Sequence, residues 1–223
     1  MTNSSPSEQP PDQPRWQRRP ASRPGEILEA GFAVFAEMGY ERATIADVAR
    51  RARVSPGLVV HYFGTKGELF EAVIHHRFTR FVEGEEALLA GHRGSYRDLL
   101  HQLLDRYWAF MWAPGSVELG LVVKAERAAF PDCTRTLFQQ LGQRWRRVIE
   151  GVLEAGAERG EFRLSGAHAA RVITAMLVGV AEASRCYESF ESRSSSPAEL
   201  WGAITALLDH GLLAVPSSSG EPT

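Results

Sequence analysis

Apolar residues recur every three to four positions along almost the whole chain, and no stretch alternates with the period of two that a half-buried strand requires. The pattern predicts an all-α fold. Ile27, Ala30, Gly31, Val34, Phe35 and Met38 make one stripe, so a first helix runs from about Pro24 to Met38, with Gly39 next as a residue that tolerates left-handed backbone. Thr44 then caps a short helix that puts Ile45, Val48, Ala49 and Ala52 on one side. Ser55 caps the next, with Pro56 at the first helical position, where a missing N–H is no loss, and this helix ends near Phe63.

Thr65 can cap a longer helix, from Lys66 to about Gly91, in which Leu69, Val73, Ile74, Phe78, Phe81 and Val82 share a face. From Tyr96 to Trp112 the stripe is Leu99, Leu100, Leu103, Leu104, Tyr107, Trp108 and Met111, and Pro114-Gly115 closes it. Further helices are predicted from about Ser116 to Phe130, from Thr134 to Arg159, from a cap at Ser165 to Tyr187, and from Pro197 to Leu213. A polar Ser/Glu/Arg loop, Glu188 to Ser196, separates the last two.

Composition narrows the class without naming a function. The 223 residues are 44% hydrophobic, with 25 Lys+Arg against 27 Asp+Glu, which excludes collagen-like, coiled-coil and wholly disordered chains. Cys133 and Cys186 form no disulfide framework and no zinc pattern; they read as small core residues of a reducing compartment. Met1 to Pro24 has no apolar run, so no secretory signal or anchor is expected, and Val172 to Ala183 is too short an apolar stretch to span a bilayer. The ends, residues 1–22 and 216–223, are expected to be disordered from their composition. Arg15, Arg18, Arg19 and Arg23 fall between positions 15 and 23 with no acid among them, a local cationic arm.

One constellation carries chemistry. A short helix, a tight turn and a second short helix opened by Ser55-Pro56-Gly57 match the helix-turn-helix, whose second helix enters the DNA major groove. Val48, Ala49 and Val54 are expected to pack the two helices together, while Val59 and Phe63 anchor the second. Pro56, Gly57, Leu58, Val60, His61 and Tyr62 then face outward. Lys66 and Thr44 stand at helix N-termini, where partial positive charge favours a phosphate.

The run ILEAGFAVFAEMGYERATIADVARRARVSPGLVVHYFGTKGELF, Ile27 to Phe70, resembles the N-terminal DNA-binding domain of the TetR family of transcriptional regulators. Phe35, Gly39 with Tyr40, Thr44 before Ile45, Val48-Ala49, Val54-Ser55, Gly57, Tyr62-Phe63, Lys66 and Leu69 carry the likeness. It implies a disordered arm at 1–22, a helix-turn-helix domain at 23–69, a helical ligand-binding and dimerisation domain at 70–215, and a tail at 216–223. It also implies a homodimer on a palindromic double-stranded DNA operator, in the cytoplasm with the nucleoid, and more often a repressor than an activator. The expected DNA-contacting set is Thr44, Arg53, Ser55, Pro56, Gly57, Leu58, Val60, His61, Tyr62 and Lys66.

Three positions depart from the family. Val60 stands where a tyrosine usually meets the DNA backbone, Arg53 replaces a frequent turn glycine, and Gly67 replaces a common acid. If the turn needs positive φ, Arg53 costs about 1 kcal/mol, acceptable where its guanidinium reaches phosphate. The outward face also lacks Arg, Asn and Gln, the residues that read guanine and adenine bidentately. Pro56, Leu58 and Val60 are therefore expected on thymine methyl groups, with polar contacts from His61 and Tyr62; His61 reads equally as a phosphate-side histidine without base specificity.

The resemblance implies an intersubunit four-helix bundle from the last two helices, with Val172, Ile173, Met176, Leu177, Val180 and Ala181 on one and Trp201, Ile204, Leu207, Leu208 and Leu212 on the other. The alternative is that these faces complete one subunit's core. The middle helices are rich in aromatics. Phe78, Phe81, Tyr107, Trp108, Met111, Trp112, Phe130 and Met176 are the candidates to line a cavity for a hydrophobic or aromatic effector, with plain core packing as the alternative for each.

No enzyme, cofactor or metal is expected. The seven histidines have no ligand spacing, and no nucleophile elbow, P-loop or dinucleotide fingerprint exists. A regulator controlled by a protein partner, with no small-molecule effector, is the second reading.

Overall fold

The computed structural model describes residues 23–116, 119–120, 123, 135–187 and 196–212. The expected arm, the expected tail, Cys133, Phe130 and the Glu188–Ser195 loop lie outside them. Among the described residues the fold is all-α. Helices α1 (Arg23–Arg42), α2 (Ile45–Ala52), α3 (Pro56–Phe63), α4 (Lys66–Gly91) and α5 (Tyr96–Trp112) follow in order. A π-helical stretch, Thr136–Leu141, runs into α6 (Gly142–Glu158), and α7 (Gly166–Tyr187) and α8 (Pro197–Leu212) follow.

Local signals account for the boundaries. Thr44 and Asp47 form a reciprocal capping box that opens α2, and Thr65 and Glu68 form a second that opens α4. The Ser55 side chain accepts from the Leu58 N–H with Pro56 in the first turn of α3, and the Ser95 side chain does the same from Asp98 at α5. Two expectations change. Gly39 has φ 74 and ψ 166, so the stripe ends there as expected, but through an extended glycine conformation that lets one further helical turn run to Arg42. The single helix expected from Thr134 to Arg159 opens instead on the π stretch, where the helix is one residue wider per turn.

Two buried clusters organise the molecule. In the head, Ile27, Val34, Phe35, Val48, Ala49, Val59, Leu69 and Phe70 close around an edge-on Phe35–Phe70 pair with ring centroids 5.1 Å apart. Leu119 and Leu141, from beyond α5, are buried in this same cluster. Head and body therefore share apolar packing. In the body, Leu103, Leu104, Trp145, Ile149, Leu153, Ile173, Leu177, Ile204 and Leu208 bring α5, α6, α7 and α8 together.

The last two helices divide their apolar residues between two sides. Ile173, Leu177 and Ala181 of α7 and Ile204 and Leu208 of α8 are buried in the subunit's own core. Val172 and Leu207 point away from it, each 66% exposed. The surface row thus holds fewer residues than the sequence list, because a helix with apolar residues on two faces cannot be sorted by periodicity.

Candidate DNA-reading edge and effector cavity

The α2–α3 unit is held by its concealed face. Val48, Ala49 and Val59 are completely buried, and Val54 and Phe63 pack against the same cluster. Pro56, Gly57, Val60, His61 and Tyr62 are exposed on the other side of α3, Val60 at 47% and Tyr62 at 40%, with Leu58 half-buried between them. The edge is contiguous, largely apolar and turned to solvent.

The turn depends on Arg53. Its φ of 55 and ψ of 45 place it in the left-handed region, and it alone among the described non-glycine residues has positive φ. Its N–H donates to Arg50 O at 3.2 Å and that of Val54 to Ala49 O at 2.9 Å, which closes α2 and swings the chain into α3. The Arg53 side chain remains exposed beside Arg50 and Arg51. Thr44 is exposed too, but its hydroxyl is engaged with Asp47, whose carboxyl is held below its usual range first by that hydroxyl and then by Arg50.

Lys66 differs from its expected setting. Its Nζ donates to Tyr40 O at 3.0 Å and Glu41 O at 3.2 Å, and lies 4.4 Å from the centre of the Tyr40 ring. The ammonium thus ties the start of α4 to the end of α1, leaving one N–H for anything outside.

The body contains an apolar cavity of about 200 Å³ between α4, α5, α6 and α7, with Ser116, Leu119, Gly120 and Val123 on one side. Its walls are aromatic: Phe81 stacks on Phe110 at 4.4 Å, Tyr107 on Trp145 at 5.2 Å, and Phe78 meets Phe110 edge-on at 5.1 Å. Of the sequence candidates, Phe78, Phe81, Tyr107 and Met111 line it. Trp108, Trp112 and Met176 do not. Trp108 turns to the other side of α5 and stacks on Trp201 at 5.3 Å, Trp112 lies 5.6 Å from Trp108, and Met176 packs against the body core. Phe130 lies outside the described residues.

Phe110 and Trp145 also line the cavity; the sequence shows both among the surplus aromatics of the middle helices but does not single them out, and it gives no place in the wall to Arg77. The signal for Arg77 was present: it shares the helical face of Ile74, Phe78 and Phe81, a cation inside an apolar stripe. Its guanidinium carbon lies 3.8 Å from the centre of the Phe32 ring of α1. Gly115, at φ 82, lets the backbone after α5 press on the same ring, since a Cβ there would stand 2.9 Å from Phe32 and from Ala36. The cavity wall and the reading head therefore meet at Phe32.

Among the described residues no group of three His, Cys, Asp or Glu could hold a metal ion, and no helix is long and apolar enough to cross a membrane.

A helix-turn-helix whose second helix is turned outward, carried on a helical body with an apolar cavity, defines a DNA-binding transcriptional regulator. Residues 27–73 match the model for bacterial regulatory proteins of the tetR family, and residues 98–210 match that for the C-terminal domain of AefR-like transcriptional repressors. The chain belongs to the TetR family. It is similar to the HTH-type transcriptional regulator LuxR of Vibrio harveyi, at 26% identity over 206 residues, 88% of this chain and 92% of that one. In fold it is similar to a TetR-family regulator from Mesorhizobium loti (TM-score 0.70, 22% identity, 89% of this chain and all of that one). It is also similar to a transcriptional regulator from Saccharomonospora viridis in complex with choline (TM-score 0.71, 18% identity, 87% of this chain and all of that one). The family consists of transcriptional regulators, not enzymes.

Proposed function

We propose that this chain is a repressor that binds a palindromic operator as a homodimer and leaves it when a small hydrophobic or aromatic molecule enters the body cavity. One observation carries the DNA half: Val59 is fully buried while Pro56, Gly57, Val60, His61 and Tyr62, its neighbours on α3, are exposed. On this reading Pro56, Gly57, Leu58 and Val60 meet base edges and thymine methyls, and His61 and Tyr62 supply polar contacts. Thr44, Arg53 and Ser55 contact phosphates at the helix ends. Lys66 clamps α1 to α4 and offers its remaining N–H to the backbone.

A single head buries too little surface for useful specificity, so two must act together on half-sites about 34 Å or a multiple apart. The outward row of Val172, Ala175 and Gly179 on α7 with Ala203 and Leu207 on α8 is the surface offered to a second copy. The apolar, aromatic-walled cavity of about 200 Å³ is of a size and character that suits a small-molecule effector, which favours that reading over a protein partner. The complex of the Saccharomonospora viridis regulator with choline supports a ligand site in a body of this fold. The residues assigned to it here are Phe78, Phe81, Tyr107, Phe110, Met111 and Trp145, and the DNA-binding unit is taken to run to about residue 69.

Footprinting on the DNA flanking the gene tests the reading. A protected palindrome whose affinity falls steeply between low and high salt supports it. Weak, sequence-indifferent binding, or none, overturns it.

A further inference from the structure

Arg77 brings a charge into a largely apolar cavity wall. Its Nη2 donates at 2.8 Å to the Oγ of Ser116, itself a lining residue. Its Nε, on the same edge of the guanidinium, is shielded from solvent and has no hydrogen-bond partner among the described residues. That edge takes both oxygens of a carboxylate, as Arg144 does with Glu86 elsewhere in this chain, at 2.9 and 2.7 Å. Ser116 occupies only one prong of the fork.

Other features of the chamber point the same way. The indole N–H of Trp145, another lining residue, is buried and has no hydrogen-bond partner among the described residues. Arg146 is a second arginine among the lining residues, and no described lining residue is acidic. Burial pushes the pKa of Arg77 down, and the charge of Glu29 only partly opposes this. An apolar chamber with unmatched donors and two cations complements an acceptor-rich anion. The same two cations repel a quaternary ammonium ion, whatever the aromatic walls would offer it.

We propose that the effector is an amphiphilic carboxylate: its flat or compact apolar body lies among Phe78, Phe81, Phe110 and Trp145, and its carboxylate takes the Nε–Nη2 edge of Arg77. The proposal rests on the cavity being the effector site. It also gives the ligand a grip on the head, because the guanidinium that would turn toward the carboxylate now lies over Phe32.

Three probes of one shape test it: 2-naphthoate, 2-naphthamide and (2-naphthylmethyl)trimethylammonium, titrated into the full chain by calorimetry and by tryptophan fluorescence. The expected result is 2-naphthoate at least tenfold tighter than the amide, the ammonium weakest, and the carboxylate preference gone in Arg77→Met. If that variant does not fold, Arg77→Lys, which keeps the charge but not the fork, should weaken 2-naphthoate severalfold and leave the amide unchanged. Amide or ammonium binding equal to or tighter than carboxylate would overturn the anion assignment while leaving the cavity as the effector site. Binding of none of the three at millimolar concentration would overturn both.

Discussion

The guanidinium of Arg77 lies over the ring of Phe32, its carbon 3.8 Å from the ring centre, and so joins α4 at the cavity wall to α1 of the reading head. Both groups are on helices, and Gly115 lies close against the same ring. A ligand that displaces the guanidinium must change how α1 sits on α4. Removing the ring should therefore separate binding from response. In Phe32→Leu, 2-naphthoate affinity is expected to stay within about threefold of the parent, since Phe32 does not line the cavity, whereas its ability to lower operator affinity should largely vanish. A double-mutant cycle of Phe32→Leu with Arg77→Met, read by chemical denaturation, should give a coupling of about 0.5–1 kcal/mol. Zero coupling, or undiminished release of DNA in the single variant, would contradict the link.

Adjacent valines of α3 should have opposite effects. Val59 is fully buried, so Val59→Ala is expected to destabilise the head by about 1–2 kcal/mol through lost burial and a cavity. Val60 is about half exposed, so Val60→Ala should change stability by less than about 0.5 kcal/mol yet weaken operator binding severalfold. Denaturation midpoints and gel-shift titrations on the same two proteins decide it. Equal loss of stability in both would mean that the edge is not a contact surface.

What the sequence could and could not reveal follows from the range of the interactions. The ends of α2, α3 and α4 were legible because Thr44, Ser55 and Thr65 act on backbone three residues away. Arg53 was legible as a strained turn for the same reason. The cavity list was only partly so. Tyr107 and Trp108 are neighbours on one apolar stripe, but Tyr107 stacks on Trp145 inside the cavity wall and Trp108 on Trp201 of α8. Helical period cannot tell which of two packed neighbours each side meets. Arg77 escaped notice because sorting a stripe by hydrophobicity discards the one cation in it, and the Lys66 clamp because its acceptors are carbonyls of a distant helix end.

Arg53 should trade stability for affinity. Arg53→Gly removes the left-handed penalty of about 1 kcal/mol but adds unfolded-chain entropy, leaving an expected net gain of about 0.5 kcal/mol. If the exposed guanidinium meets a phosphate, the same variant loses operator affinity, and the slope of log affinity against log salt falls by about one. Denaturation and a salt series measure the two effects independently. A stabilised protein with an unchanged slope would remove Arg53 from the interface.

The two capping boxes set a pH dependence. The carboxyls of Asp47 and Glu68 lie below their ordinary values of 3.8 and 4.5, Asp47 chiefly through the Thr44 hydroxyl and Glu68 chiefly through the Thr65 N–H. A carboxyl whose folded value is depressed stabilises the fold fully above its unfolded value and loses that contribution as pH falls through the folded one. The head should therefore weaken as pH drops below about 4.5, and Asp47→Asn with Glu68→Gln should flatten that part of the profile. Thermal melts from pH 7 to pH 3 would show it; parallel curves for parent and variant would place the acid sensitivity elsewhere.

The dimer reading turns on residues that the subunit itself does not need. Val172 and Leu207 are each 66% exposed, while their neighbours Ile173 and Leu208 are buried in the body core. A charge at either exposed position costs little in the isolated subunit but would be desolvated and set against its own copy across a two-fold interface. Val172→Glu and Leu207→Glu are therefore expected to remain folded by circular dichroism and to sediment as monomers. Operator binding should fall by at least tenfold with them, since each head would then have to find its half-site alone. Variants that stay dimeric would move the interface to another face. Monomers that kept full operator affinity would sink the requirement for two heads.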